Sequence, residues 1–134
     1  MNQSENLVRV LEVMSQDYAL VDGMNTIAEA IEVASKANVQ VLLVNKRHED
    51  DEFGMVLMSD IAKQVVSRDR APERVNVYEI MIKPVLSVRG RMDVRYCARL
   101  FERFGIHTAP VIDEDQIQGV VNYQDIVLKG MSSR

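Results

Sequence analysis

A chain of 134 residues with 47% apolar residues has enough material for one compact domain or a tightly paired tandem, and is not the composition of a disordered segment. Its net charge of −4 excludes a general DNA-binding protein, which carries a clear basic excess. No apolar run, Val41-Leu42-Leu43-Val44 being among the longest, approaches the roughly 20 residues of a membrane-spanning helix. The charge is unevenly shared: residues 1–74 carry 8 Lys/Arg against 13 Asp/Glu, and residues 75–134 carry 8 against 7, giving −5 and +1. Met1 to Asn6 lacks the basic-then-apolar order of a signal peptide. The single cysteine, Cys97, excludes an internal disulfide and suits a reducing compartment, so a cytoplasmic protein is expected.

Residues 6–14 read as a short amphipathic helix, with Leu7, Val10, Leu11 and Met14 at helical spacing. An extended piece follows at Ala19-Leu20-Val21. Thr26-Ile27-Ala28-Glu29 is a capping-box pattern, in which hydroxyl and carboxylate satisfy free N–H groups at a helix start. That helix places Ile27, Ala30, Ile31, Ala34 and Ala37 on one face. Asn38, which tolerates the left-handed conformation, marks its end. A strand over Val39–Val44, a charged loop over Lys46–Glu52 and a strand from Gly54 come next, and a helix over Asp60–Ser67 closes the pattern. Arg68 to Arg74, polar and broken by Pro72, reads as a linker.

The pattern then starts again. Glu12-Val13-Met14 recurs as Glu79-Ile80-Met81, an offset of 67, and at that offset Val21 matches Val88, Asn38 matches Gly105 and Val44 matches Val111. Beyond the charged loop the offset falls to 65, so that Gly54 matches Gly119 and Asp60 matches Asp125. The second long helix then presents Val94, Cys97, Ala98, Phe101 and Phe104, and is followed by a strand over Ile106–Ile112, a loop over Asp113–Gln116 and a helix over Asp125–Lys129. Two β-α-β-β-α units result: residues 7–67, a linker over 68–76, and residues 77–130. A unit of about 60 residues exposes too much of its sheet to be stable alone, so the two are expected to pack through their sheets.

Two motifs of the second unit carry a resemblance: Gly105-Ile106-His107-Thr108-Ala109-Pro110-Val111-Ile112-Asp113, and Gly119-Val120-Val121-Asn122-Tyr123-Gln124-Asp125-Ile126. With the capped helix between strands and the weaker echo in Gly54 and Asp60, they resemble the CBS-domain family in tandem, the Bateman module. The resemblance covers residues 7–130 and implies an α/β fold of two repeats related by a pseudo-two-fold. It implies a regulatory module whose cleft between repeats takes an adenosine-containing ligand such as AMP, ADP or ATP; S-adenosylmethionine and NAD-like ligands also occur in the family. On that reading Asp125 and Asp60 match the residue that holds ribose hydroxyls. The phosphate-contacting Ser or Thr three residues earlier is replaced by Asn122 and Leu57, and only Asn122 retains a donor. His107 fits one of a basic pair, and Thr108 stands where an arginine is expected. Ile106 and Val88 would flank the base. The resemblance also implies a homodimer formed through the long helices, where Val33 and Leu100 add apolar surface.

Each candidate has a plainer reading. Asp125 and Asp60 also serve as helix-start residues, and His107 as a surface histidine. Arg91, Arg95, Arg99 and Arg103 recur every four residues and read as a solvated helix face, since aromatic interleaving is sparse. His48-Glu49-Asp50-Asp51-Glu52 has metal-friendly residue types but no second histidine or cysteine, and reads as a solvated hairpin. Cys97 lies on a core face and reads as a small buried hydrophobe. No nucleophile elbow, phosphate loop or Cys–His constellation is present, so no enzyme is expected. Two functions stand: a sensor of an adenine nucleotide acting on an unidentified protein partner, and a ligand-free dimerisation or interaction module.

Overall fold

The protein, seen here in a computed structural model, is described over residues 7–131. The signal-peptide reading at Met1–Asn6, and Asn6 as first residue of the opening helix, lie outside the described residues. The chain is a mixed α/β protein that divides into two compact units. One spans Asp17–Val85; the other joins the N-terminal segment through Gln16 to the segment from Leu86 onward. These units are cut differently from the sequence repeats at 7–67, 68–76 and 77–130. The helix that opens each repeat packs with the body of the other repeat. Among the described residues, no helix is long and apolar enough to cross a membrane.

In the Asp17–Val85 unit, β1 (Ala19–Val21) pairs in parallel with β2 (Val41–Val44), and β2 pairs antiparallel with β3 (Gly54–Leu57). As the central strand, β2 is buried at all four residues, which explains its unbroken apolar run. Between β1 and β2 runs α2 (Ile27–Ala37). Its start is the expected capping box: Thr26 Oγ1 accepts from Glu29 N at 3.1 Å, and Glu29 accepts from Thr26 N at 2.8 Å. Its end is Asn38 at φ 55°. Ile27, Ala30 and Ala34 face the core as expected, but Ile31 at the stripe's margin and Ala37 in the last turn are exposed, and Val33 packs on the core instead.

The closing helix begins earlier than expected, as α3 (Met58–Ile61), and continues through a wide π-type turn over Ala62–Val66. The expected linker is partly core: Val75 is buried, and its carbonyl accepts from Ile27 N at 2.7 Å. The following α4 (Val77–Ile80) buries Val77, and Ile82 bridges antiparallel to Met55.

In the other unit, α1 (Val10–Val13) packs with α5 (Val94–Phe104), the hairpin of β4 (Thr108–Asp113) and β5 (Gln116–Asn122), and α6 (Tyr123–Gly130) around one core. The expected first strand of this repeat is reduced to one parallel bridge between Val88 and Val111. At the start of α5 the Asp93 side chain accepts from Arg95 N at 2.9 Å, and Gly105 ends the helix at φ 66°. Val94, Cys97 and Phe101 are fully buried, whereas Phe104, like Ala37, is exposed. Leu100, like Val33, packs on the core.

Gly54 and Gly119 hold equivalent places in the two units. Beside each runs the backbone that follows the packed-in opening helix: Ile82 beside Gly54 and Ser15 beside Gly119. The repeated glycine is there because a side chain would push that backbone away.

Candidate ligand site at the start of α6

Strand β5 turns directly into α6, and Asn122 sits at the junction with extended backbone. Its Oδ1 accepts from Asp125 N at 2.8 Å, and Asp125 Oδ2 accepts from Asn122 N at 3.2 Å. Asp125 therefore stands three residues inside the helix within a reciprocal capping box, and Asn122 is the cap. The other carboxylate oxygen, Oδ1, lies 3.3 Å from Lys129 Nζ, one helical turn on. The Asp125 side chain is mostly buried and Lys129 is half exposed, at 12% and 49%. Lys129 Nζ also donates to the Val13 carbonyl at 3.3 Å.

The antiparallel register pairs Thr108 with Asn122. This carries the start of β4 to the start of α6, where Tyr123 N donates to the His107 carbonyl at 3.3 Å. His107 is exposed, with Nδ1 2.9 Å from Oγ1 of the buried Thr108. Asn122, Asp125 and His107 thus share one edge of the unit. Ile106, half buried, precedes them, packed on the core with its N–H donated to the Phe101 carbonyl at 3.0 Å.

Two candidates lie elsewhere. Val88 is 1% exposed inside the core, with its N–H on the Pro110 carbonyl at 3.0 Å and its carbonyl accepting from Ile112 N at 2.9 Å. Its side chain has no free face for a base, which corrects the expectation that it flanks one. Asp60 belongs to the other unit, where its Oδ2 accepts from Leu57 N at 2.8 Å. Leu57 has no side-chain oxygen to return the bond, so the box is half made.

Lys129 and Thr108 were not picked out as ligand residues by the sequence. The pairing of Asp125 with Lys129 was legible in their four-residue spacing; the burial of Thr108 was not. The charged loop is also more than a solvated hairpin. Asp51 Oδ1 lies 2.7 Å from Lys83 Nζ and its Oδ2 accepts from Arg47 N at 2.8 Å. The Lys83 bond first, then the N–H groups of Arg47 and Glu52, hold the Asp51 carboxyl well below the usual carboxylate range. Cys97 is wholly buried, and desolvation pushes its thiol up to about 11.

The family profile of the CBS domain matches residues 77–131. The hexameric CBS-CP12 protein from bloom-forming cyanobacteria is 34% identical and superposes with a TM-score of 0.89, over 93% of this chain and 72% of its own. This chain belongs to the CBS-domain family. The profile match holds both strands of the β4–β5 hairpin and the whole of α6, so the α6 site lies in the CBS repeat that carries the motifs most clearly. The CBS chain is also similar to an uncharacterized protein of Methanopyrus kandleri, at 31% identity over 90% of its residues, and spans 61% of that relative's length. The CBS domain protein from Pyrobaculum aerophilum complexed with AMP shares the fold at a TM-score of 0.77 and 19% identity, over 90% of this chain and 92% of its own.

Proposed function

We propose that this CBS pair is a non-catalytic regulatory module that binds an adenosine-containing nucleotide, of the AMP, ADP or ATP type, at the start of α6. The observation that supports the reading most directly is the Thr108–Asn122 register, which brings the His107 segment to the start of α6, where Tyr123 N donates to the His107 carbonyl. Asp125 would hold the ribose hydroxyls through its carboxylate. The N–H groups of Tyr123 and Asp125 already have acceptors in the chain, so the Asn122 side-chain amide would face phosphate, where the helix dipole favours negative charge. His107 would add a donor and Ile106 an apolar edge for the base. The shared fold of the AMP-bound Pyrobaculum protein supports the class of ligand. Asp60, with a half-made box beside Leu57, is the weaker counterpart.

Regulation would follow from differential affinity: the nucleotide favours one conformation over another, and a protein partner responds to the change. We read the chain as a cytoplasmic homodimer; Val127 and Leu128, more than half exposed on α6, and Phe104 on α5 are apolar surface for self-association. A sedimenting mass of 15.2 kDa alone at micromolar concentration would remove the dimer. A second reading, a ligand-free interaction module, is favoured by one observation: both Asp125 oxygens already have partners within the chain.

Thermal unfolding against AMP, ADP and ATP separates the two. A nucleotide at about 100 times its dissociation constant adds roughly 2.7 kcal/mol of stability. The sensor reading expects a shift for one of them that disappears in Asp125→Ala, with the variant still folded. No shift with any of the three leaves the interaction module.

A further inference from the structure

We infer that a second anion site, for a polyphosphate-bearing small ligand, lies in the arginine-lined groove at the N-terminal end of α5. The groove has a volume of about 590 Å³ and belongs wholly to the unit built on Leu86–Arg134 with the N-terminal segment. That is the scale of a small-molecule pocket, typically about 300–1,000 Å³. Arg9, Arg89, Arg91 and Arg95 line it with Asp93, and Asp113 stands against Arg89, a local balance of +2. The groove wall is mostly apolar, from Leu7, Met92, the arginine stems and the ring of Tyr96, which is 60% exposed with Arg99 5.3 Å from its centroid.

The guanidinium groups are held in place by the protein. Arg95 is forked onto Asp93, with Nη2 at 2.8 Å and Nε at 3.2 Å, and Asp93 is itself buried at the helix start. Arg9 donates through Nη1 to the Arg91 carbonyl, and Arg89 Nε lies 3.7 Å from Asp113. Each of these contacts occupies only part of a five-donor fork. Arg91 is exposed and forms no ion pair among the described residues. Arginine forks match phosphate oxygens bidentately, and ordering them in advance lowers the entropy cost of binding. Four of them in one place exceed what Asp93 and Asp113 neutralise, and a chain of two or three phosphates supplies the missing negative charge.

The groove is distinct from the α6 site. It lies at the start of α5, whereas His107 follows the end of that 11-residue helix, about 16 Å of helix away. The four-residue spacing of Arg91, Arg95 and Arg99 reads alone as a solvated face; the groove appears only when Arg9, some 80 positions upstream, is folded against it.

Titration calorimetry with sodium tripolyphosphate in about 50 mM salt tests this, using the whole chain, Arg91→Glu, Arg68→Glu and Asp125→Ala. Arg68 is exposed in the other unit, and its replacement makes the same change in net charge. One site is expected, weakened about tenfold or more by Arg91→Glu and within about twofold of wild type in the other two variants. Absence of binding at millimolar tripolyphosphate overturns the inference. So does an equal loss in Arg68→Glu, which would make the effect one of net charge. Tighter binding of a poly-glutamate peptide would mark the groove as a surface for acidic protein segments instead. Because Asp125→Ala reports on the α6 site, failure at either place leaves the other readable.

Discussion

Replacing Gly119 by alanine tests why the glycine recurs in both repeats. A Cβ at this position would stand 2.7 Å from the Ser15 carbonyl oxygen, a distance at which something must shift, and 3.1 Å from both Met14 Sδ and Gln16 Nε2. The nearest atom is backbone and cannot swing aside. Ser15 is held there by two hydrogen bonds, Ser15 N to the Val120 carbonyl at 2.8 Å and Val120 N to the Ser15 carbonyl at 3.0 Å. Overpacking costs about 1–3 kcal/mol, and each hydrogen bond lost about 1 kcal/mol more. Against this, alanine restricts the unfolded chain and recovers about 0.4–1 kcal/mol. The net expectation is a loss of about 2–4 kcal/mol, or roughly 7–14 °C in Tm for a chain of this size.

Gly54→Ala is the internal control. There the nearest atom, at 3.1 Å, is Met81 Sδ on a flexible side chain, and the Ile82 carbonyl and Val44 Cβ lie at 3.3 Å. A loss of only about 0.5–2 kcal/mol is expected. Urea denaturation followed by circular dichroism measures both. Gly119→Ala within about 0.5 kcal/mol of wild type, or Gly54→Ala the more damaging of the two, would refute the close-approach explanation.

Three further outcomes follow from the same geometry. Asn122→Ala removes the cap on Asp125 N and should cost about 1 kcal/mol by urea denaturation, while Asn122→Asp, which keeps an acceptor, should recover most of it. Cys97 has a folded-state pKa raised from 9.0 to about 11, so the native state keeps its proton longer than the unfolded chain. Stability should be unaffected by this group below pH 9.0 and should fall by about 2–3 kcal/mol as pH rises to about 11, a slope absent in Cys97→Ala. Asp51 shifts the other way, its folded value lying below the ordinary 3.8. Its contribution is present above that value and is lost as pH falls below it, so the stability gap between wild type and Asp51→Asn should narrow in acid titrations below about pH 4.

How far the sequence reaches can be judged residue by residue. Thr26, Glu29, Asn38 and Gly105 were legible because caps act over three or four residues, and a local pattern contains the whole interaction. The paired strands and the CBS resemblance were legible because the chain repeats, so each half checks the other. Val88 was not: an apolar strand residue reads equally as core or as a ligand flank, and its burial in the core, beside the Val88–Val111 bridge, decides for the core. Nor was the partner of the opening helix. Leu7, Val10, Leu11 and Met14 announce an apolar stripe without naming what covers it; folding lays Val10, Met14 and the unexpected Val13 on the body of the second repeat, leaves Leu11 exposed, and shortens the helix to Val10–Val13.

By itself the sequence determined the repeats, the caps of the two long helices and the CBS family, since each rests on neighbours close in the chain or on an internal copy. Only the tertiary structure decided which body each opening helix completes, that Lys129 and Asn122 already hold Asp125, and that Arg9 joins three distant arginines around one groove. Those outcomes depend on contacts between residues far apart in the chain, where the apolar or charged character of a side chain is fixed but its partner is chosen by packing.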